Sequence, residues 1–302
     1  MIDISGAQLE PYRAFHFFHE NLNKHIKVSI ASSVLLVDHA AKSENPRELG
    51  RLIGASHPAW NMPPVHEIDL DRQKQMYAGV SSFAVVALFS ALDDFIDGIE
   101  ADLARAEKWI ELSRSKVASG GDEDRVVKLY LRYGWATNGI EAYLPALRYF
   151  RLIRDCIAHR SFRASDALAV TSSDDRLHVA LRPLLERTTK AAPVFMRDDD
   201  VFVDPTLAIT CSDLLRKIAT DCNRAFMSAV GVDGFIALVA HNLMFSEKPV
   251  RTDAYKTPEA VLNLALTERY RVPVEDRLIP TSVMKKVGLW KDFIDAFDRG
   301  YA

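Results

Sequence analysis

The chain has 302 residues and a mass of 33.9 kDa, is 48% apolar, and sets 38 lysines and arginines against 41 aspartates and glutamates. That apolar content and a net charge of −3 exclude a disordered chain and a globally basic nucleic-acid coat, and 13 Gly with 13 Pro exclude collagen-like or low-complexity architecture. Three cysteines cannot build a disulfide framework, which points to a reducing compartment. The N-terminus shows no basic region followed by an apolar core, so no secretory signal is expected. Ala78–Leu92 is too short to span a bilayer, and Ala225–Phe245 carries Asp233, His241 and Asn242. The expectation is a cytoplasmic protein with no membrane partner.

Helical periodicity runs through most of the chain. Gln8–Ala41 carries apolar residues at helical spacing, with Pro11 in the first turn. Ser43–Asp71, rich in Pro, Gly, Asn and His, reads as a connection. Asp71–Ala106 predicts a long helix with Val80, Phe83, Ala84, Ala87, Leu88, Ala91, Phe95 and Ile96 facing inward. After the Gly120-Gly121 break, Asp122 is the expected N-cap of a helix through Trp135, with Asn138-Gly139 closing that element. From Ile140 a helix runs past His159 towards Arg163, with Pro145 near its start. Ala192–Met196 and Val201–Val203 flank the turn-prone Arg197–Asp200 and predict a short hairpin, its first strand confined to an edge by Pro193. Leu207–Val230 and Phe235–Phe245 are helical, Thr257-Pro258-Glu259 starts a helix, and the tail ends in an amphipathic segment. The expected fold class is all-α: an antiparallel helical bundle with additional helices and one minor β-hairpin near 192–204. Residues 1–246 form the expected bundle domain, and 247–302 a small helical C-terminal extension packed on it.

Arg148, Arg151, Arg154, Arg160 and Arg163 fall within sixteen residues that hold a single acid, Asp155. Tyr149, Phe150, Ile153 and Ile157 make an inner stripe, so the arginines face outward or into a cleft, where they attract phosphates. Three loose Arg–His spacings occur, Arg13/His19, Arg51/His57 and Arg154/His159, and only the third has an acid directly after its arginine. The run Arg154-Asp155-Cys156-Ile157-Ala158-His159-Arg160 resembles the signature of the HEPN superfamily of helical ribonucleases and RNA-binding domains: an arginine, then a polar residue, then a histidine after four to six residues in all. Ser81–Ala101 resembles a long helix of such bundles, in which an apolar run leads into an acidic patch. The resemblance implies a metal-independent endoribonuclease without a cofactor, leaving 2′,3′-cyclic phosphate and 5′-hydroxyl ends. It also implies a homodimer whose two motifs face one cleft. Such enzymes serve as toxins or defence effectors, which brings in a cognate antitoxin or regulatory protein as a partner beside RNA.

The residue types suit that chemistry. RNA self-cleavage needs the 2′-OH deprotonated, charge on the phosphorane stabilised and the leaving 5′-oxygen protonated. Histidine transfers protons near neutrality, and arginine holds non-bridging oxygens with a fork of donors. Arg154 and His159 are therefore the expected catalytic pair. Asp155, four residues before His159, is expected to orient the imidazole. Arg151, Arg160 and Arg163 are expected to bind substrate phosphates, with Asp94 and Asp97 as an acidic second layer beside the cleft. Arg154 and His159 stand about 140° apart on an ideal helix, so their expected meeting is across the dimer cleft.

Two other readings use these residues differently. A non-catalytic helical module would bind RNA or a partner protein through the same basic groove. Asp93-Asp94-Phe95-Ile96-Asp97, with Glu100 beyond, resembles the DDxxD pattern of magnesium-dependent, terpene synthase-like diphosphate enzymes, but the second metal motif of that family is missing. His16 and His19 sit one turn apart without a third ligand and read as a partly exposed helix face. Cys156, Cys211 and Cys222 read as buried structural thiols, and His241 as a satisfied core histidine. No metal site is expected.

Overall fold

Capping chemistry sets the helix ends. The computed structural model describes residues 2–42, 55, 70–115, 124–185, 191–245 and 257–299. Among these residues ten α-helices form: α1 (Glu10–Lys42), α2 (Leu70–Ala106), α3 (Arg125–Tyr133), α4 (Leu144–His159), α5 (Asp166–Ser172), α6 (Asp175–Leu185), α7 (Pro205–Met244), α8 (Pro258–Leu264), α9 (Leu278–Lys286) and α10 (Trp290–Asp298). Pro145 sits in the first turn of α4, where its missing N–H costs no helical bond. Thr257 caps α8 by accepting from the Ala260 N–H at 3.3 Å. At α3 the cap is Asp124, which accepts from the Val126 N–H at 2.9 Å, and Gly134 (φ 63°) closes the helix. The expected cap, Asp122, lies outside the described residues, and the expected stop at Asn138-Gly139 comes five residues late. Gly139 has a different duty, since a Cβ there would run into the Asp221 carboxylate.

The chain groups into two compact units that interleave in sequence. The first comprises Met1–His16, Ala91–Glu141 and Lys217–Ala302; the second comprises Phe17–Ser90 and Ala142–Arg216. The expected cut at 246/247 lies outside the described residues, and α8–α10 share the first unit with residues 2–16.

In the first unit, Phe95 meets Tyr12 and Phe15 at ring-centroid distances of 6.5 and 5.7 Å. The buried Asn223 amide holds the N-terminal segment, accepting from the Leu9 N–H at 3.1 Å and donating to the Ala7 carbonyl at 2.8 Å. Tyr130 is fully buried and its hydroxyl donates to Asp221 at 2.7 Å. The gap left between the two predicted helices 207–230 and 235–245 is a break inside α7 at Gly231 (φ 61°, ψ −176°). That conformation is open to glycine almost alone. Gly231→Ala is expected to cost about 1–3 kcal/mol in urea denaturation; an unchanged midpoint would show that the break is not held by the fold.

Asp102, 2% exposed, adds a pH dependence to the same unit. Burial pushes its carboxyl up to about 6, against the Arg105 guanidinium 2.6 Å away, which pulls it down. The native value lies above the unfolded one near 3.8. Between those two values the native state keeps a proton that the unfolded chain has released, so stability falls as pH rises through the window. Relative to Asp102→Asn, the wild type should lose roughly 2 kcal/mol between pH 4 and pH 7. Parallel stability profiles of the two proteins would contradict this.

In the second unit, α4 buries the predicted stripe Tyr149, Phe150, Ile153 and Ile157, and with it Leu147 and Cys156. His19 departs from expectation: it is 4% exposed and its Nδ1 lies 2.6 Å from Ser212 Oγ, so it is a buried, bonded histidine rather than an exposed ligand candidate. Val80 and Phe83 of α2 also depart, being 43% and 63% exposed, whereas Ala84 and Leu88 are buried. No β-strand occurs among the described residues, so the hairpin expected near 192–204 is corrected. Its turn exists: the Asp199 N–H donates to the Met196 carbonyl at 3.2 Å, and Asp199 Oδ2 accepts from the Met196 N–H at 2.7 Å. The chain beyond that turn bonds to residues 162–164 instead of folding back on 192–196. Two helical stretches, Tyr77–Ala106 and Pro205–Met244, are long and apolar enough to cross a membrane, and 50% and 61% of their apolar windows are buried within the protein.

Candidate functional site

Helix α4 ends where its backbone turns left-handed. Ser161 (φ 49°) and Phe162 (φ 65°) follow Arg160 directly, and the Arg160 and Phe162 N–H groups both donate to the Cys156 carbonyl at 3.1 Å. The facing turn adds Asp198 (φ 64°), so three of the four non-glycine residues with positive φ among those described gather at this end of α4. Each such residue costs about 1–2 kcal/mol and persists only where its surroundings hold it. Here they do. The Val201 N–H donates to the Phe162 carbonyl at 2.7 Å, Ala164 N–H to the Asp199 carbonyl at 2.9 Å, and Asp198 N–H to the Ala164 carbonyl at 3.0 Å.

The last turn of α4 brings the expected pair together within one chain. Arg154 Nη1 lies 3.1 Å from His159 Nε2 and donates to Asp155 Oδ1 at 2.8 Å. The long arginine side chain bridges the angular separation that a dimer was expected to resolve. A guanidinium has donors only, so in this contact Arg154 is the donor and the Nε2 edge of the imidazole faces it. His159 is exposed, and the Nε of the largely buried Arg154 is a buried donor with no partner. Asp155 has a different partner from the expected one, serving Arg154 rather than the imidazole.

Arg151, Arg160 and Arg163 are held, too. The Arg151 guanidinium lies over the Phe89 ring, 4.4 Å from its centroid. Arg160 Nε donates to the Arg163 carbonyl at 3.3 Å, and its Nη2 is 3.7 Å from Asp198. Arg163 Nη1 reaches the Asp198 carbonyl at 3.1 Å and the Asp200 carboxylate at 3.0 Å. The acidic run Asp198-Asp199-Asp200 is the sequence signal for these partners. They leave a balanced surface in place of the bare basic patch expected.

The acidic motif belongs to the first unit. Asp97 and Glu100 are ion-paired by Arg125 and Arg132 of α3, and Asp93 lies 3.8 Å from Arg125. Asp94 is exposed. Among the described residues no three His, Cys, Asp or Glu side chains converge as a metal-holding group. Cys156, Cys211 and Cys222 are free and buried, and burial pushes the Cys222 thiol up to about 12, far from a reactive thiolate. His241 also differs from expectation. Its ring packs on Phe245 and Trp109, but its buried Nδ1 has no hydrogen-bond partner, and burial lowers its pKa.

Compared with models of known families, with curated proteins and with solved structures, the chain matches none.

Proposed function

We propose that the protein is a HEPN-type endoribonuclease, an antiparallel helical bundle working in the cytoplasm as a homodimer, that cuts RNA without a metal or cofactor. The observation that carries the reading is the 3.1 Å contact of Arg154 Nη1 with His159 Nε2 at the exposed end of a helix. In the reaction, the imidazole takes the proton of the 2′-OH, and the 2′-oxygen attacks phosphorus. Arg154 turns its donors to the non-bridging oxygens as charge builds on the phosphorane. The P–O5′ bond breaks, and the proton held by the imidazole passes to the leaving 5′-oxygen. The products are a 2′,3′-cyclic phosphate and a 5′-hydroxyl. Arg160 and Arg163 exchange Asp198 and Asp200 for substrate phosphates along the same edge. A toxin or defence role, under the control of an antitoxin or regulatory protein, follows from the same reading.

One observation favours a second reading. Arg154 is ion-paired with Asp155, which is how a structural arginine in a non-catalytic RNA- or protein-binding module would sit. End-group mapping separates the two. Total RNA incubated with the purified protein in EDTA should yield cyclic-phosphate and 5′-hydroxyl ends. Intact RNA supports the binding module, and 3′-hydroxyl ends overturn the mechanism.

A further inference from the structure

Three phenylalanines around the end of α4 have no part in the chemistry above and are poorly buried for their type. Phe83 is 63% exposed and Phe202 46%, and Phe162 lies between them. Phe162 meets Phe83 edge-on (centroids 6.0 Å, 89°) and stacks on Phe202 (6.0 Å, 30°). Phe162 is three residues from His159, between Arg160 and Arg163. It holds the left-handed conformation that a large side chain least tolerates, fixed by bonds from its N–H to Cys156 and from Val201 to its carbonyl. Stability alone would favour glycine at that position and polar side chains on the two exposed faces. Strain concentrated beside a proton-transferring pair, with aromatic faces left open to solvent, is the pattern of a site kept for a ligand.

We propose that Phe83, Phe162 and Phe202 form a base-stacking platform that seats an unpaired nucleobase next to the scissile phosphate and so selects single-stranded over duplex RNA. The occupant follows from the chemistry. Flat aromatic faces stack on any exposed base, flanking guanidiniums hold the adjoining phosphates, and a paired base cannot reach the rings without leaving its helix. The proposal rests on the ribonuclease reading and assigns its substrate class. It also explains why a non-glycine residue occupies position 162, a fact the proton-transfer chemistry leaves open.

The test uses the His159→Ala variant of the 302-residue chain, which is expected to hold RNA without cutting it, and a labelled oligo(A) dodecamer, alone or paired with oligo(U). The single strand is expected to bind at least tenfold more tightly than the duplex. Phe162→Ala, and separately the surface variant Phe83→Ala, should each weaken single-strand binding on the order of tenfold and leave duplex binding in place. Phe162→Gly supplies a fold control. It relieves the left-handed strain, so its unfolding midpoint should match or exceed that of Phe162→Ala while the single-strand preference is lost. Preference unchanged in all three variants overturns the platform alone. If neither form binds and the wild type cleaves no RNA, the ribonuclease reading falls and the platform with it.

Discussion

Replacing His159 with alanine is expected to lower the RNA-cleavage rate by about 10²–10⁴-fold with little change in RNA affinity. The imidazole is the one group at this site placed both to take a proton and to return it. Its Nε2 lies 3.1 Å from Arg154 Nη1, its ring is exposed, and it closes the last turn of α4. Arg154→Lys should cost rate on a similar scale although the charge is kept, because an ammonium cannot offer the fork of donors that spans two phosphorane oxygens. The two effects should not add in a double variant, as expected of groups that act as a unit. Single-turnover kinetics on a short RNA in EDTA give both numbers. Cleavage that survives His159→Ala within threefold would remove the assignment, and a loss that appears only as weaker binding would move the protein to the non-catalytic module.

The parts of this site legible in the sequence are those decided by periodicity and by a short motif. The buried stripe of α4 follows from residues at helical spacing, and the motif singles out Arg154 and His159, although their expected meeting was across a dimer cleft and not within one chain. The gap left between the predicted helices 207–230 and 235–245 coincides with the break at Gly231. What escaped was non-local. The hairpin was expected because Ala192–Met196 and Val201–Val203 flank the turn-prone Arg197–Asp200, yet Asp198, Asp199 and Val201 bond to the loop after α4, a partner more than thirty residues away that no local pattern names. Phe83 was placed inside because phenylalanine on an apolar helix ordinarily is; its exposure depends on what faces that stretch of α2. Asp155 was assigned to His159 by the four-residue rule, but the adjacent Arg154 side chain reaches its carboxylate. Arg154 and His159 were expected to meet across a dimer cleft because their Cβ positions stand far apart around the helix; the reach of the arginine side chain lets them meet within one chain.

Phe89→Ala is expected to cost about 3–5 kcal/mol in denaturant unfolding, which is large against the stability of an ordinary domain. Phe89 is completely buried in the second unit, and its ring supports the Arg151 guanidinium at 4.4 Å. Arg151 is also close enough to the buried Cys211 to oppose the burial that raises that thiol. Removing the ring therefore opens a cavity and leaves a cation over it without the aromatic face that offsets its desolvation. Two losses are combined in that variant, and Phe89→Leu separates them. Leucine keeps most of the volume, so the unfolding cost should drop to about 1–2 kcal/mol, while the cation–π contact is lost in full. If Arg151 contributes to phosphate binding, both variants should weaken RNA binding under conditions where each remains folded, because in each the guanidinium loses its seat. Phe89→Leu that binds RNA as the wild type does would show that Arg151 serves the fold and not the substrate, and would confine the working arginines to Arg154, Arg160 and Arg163.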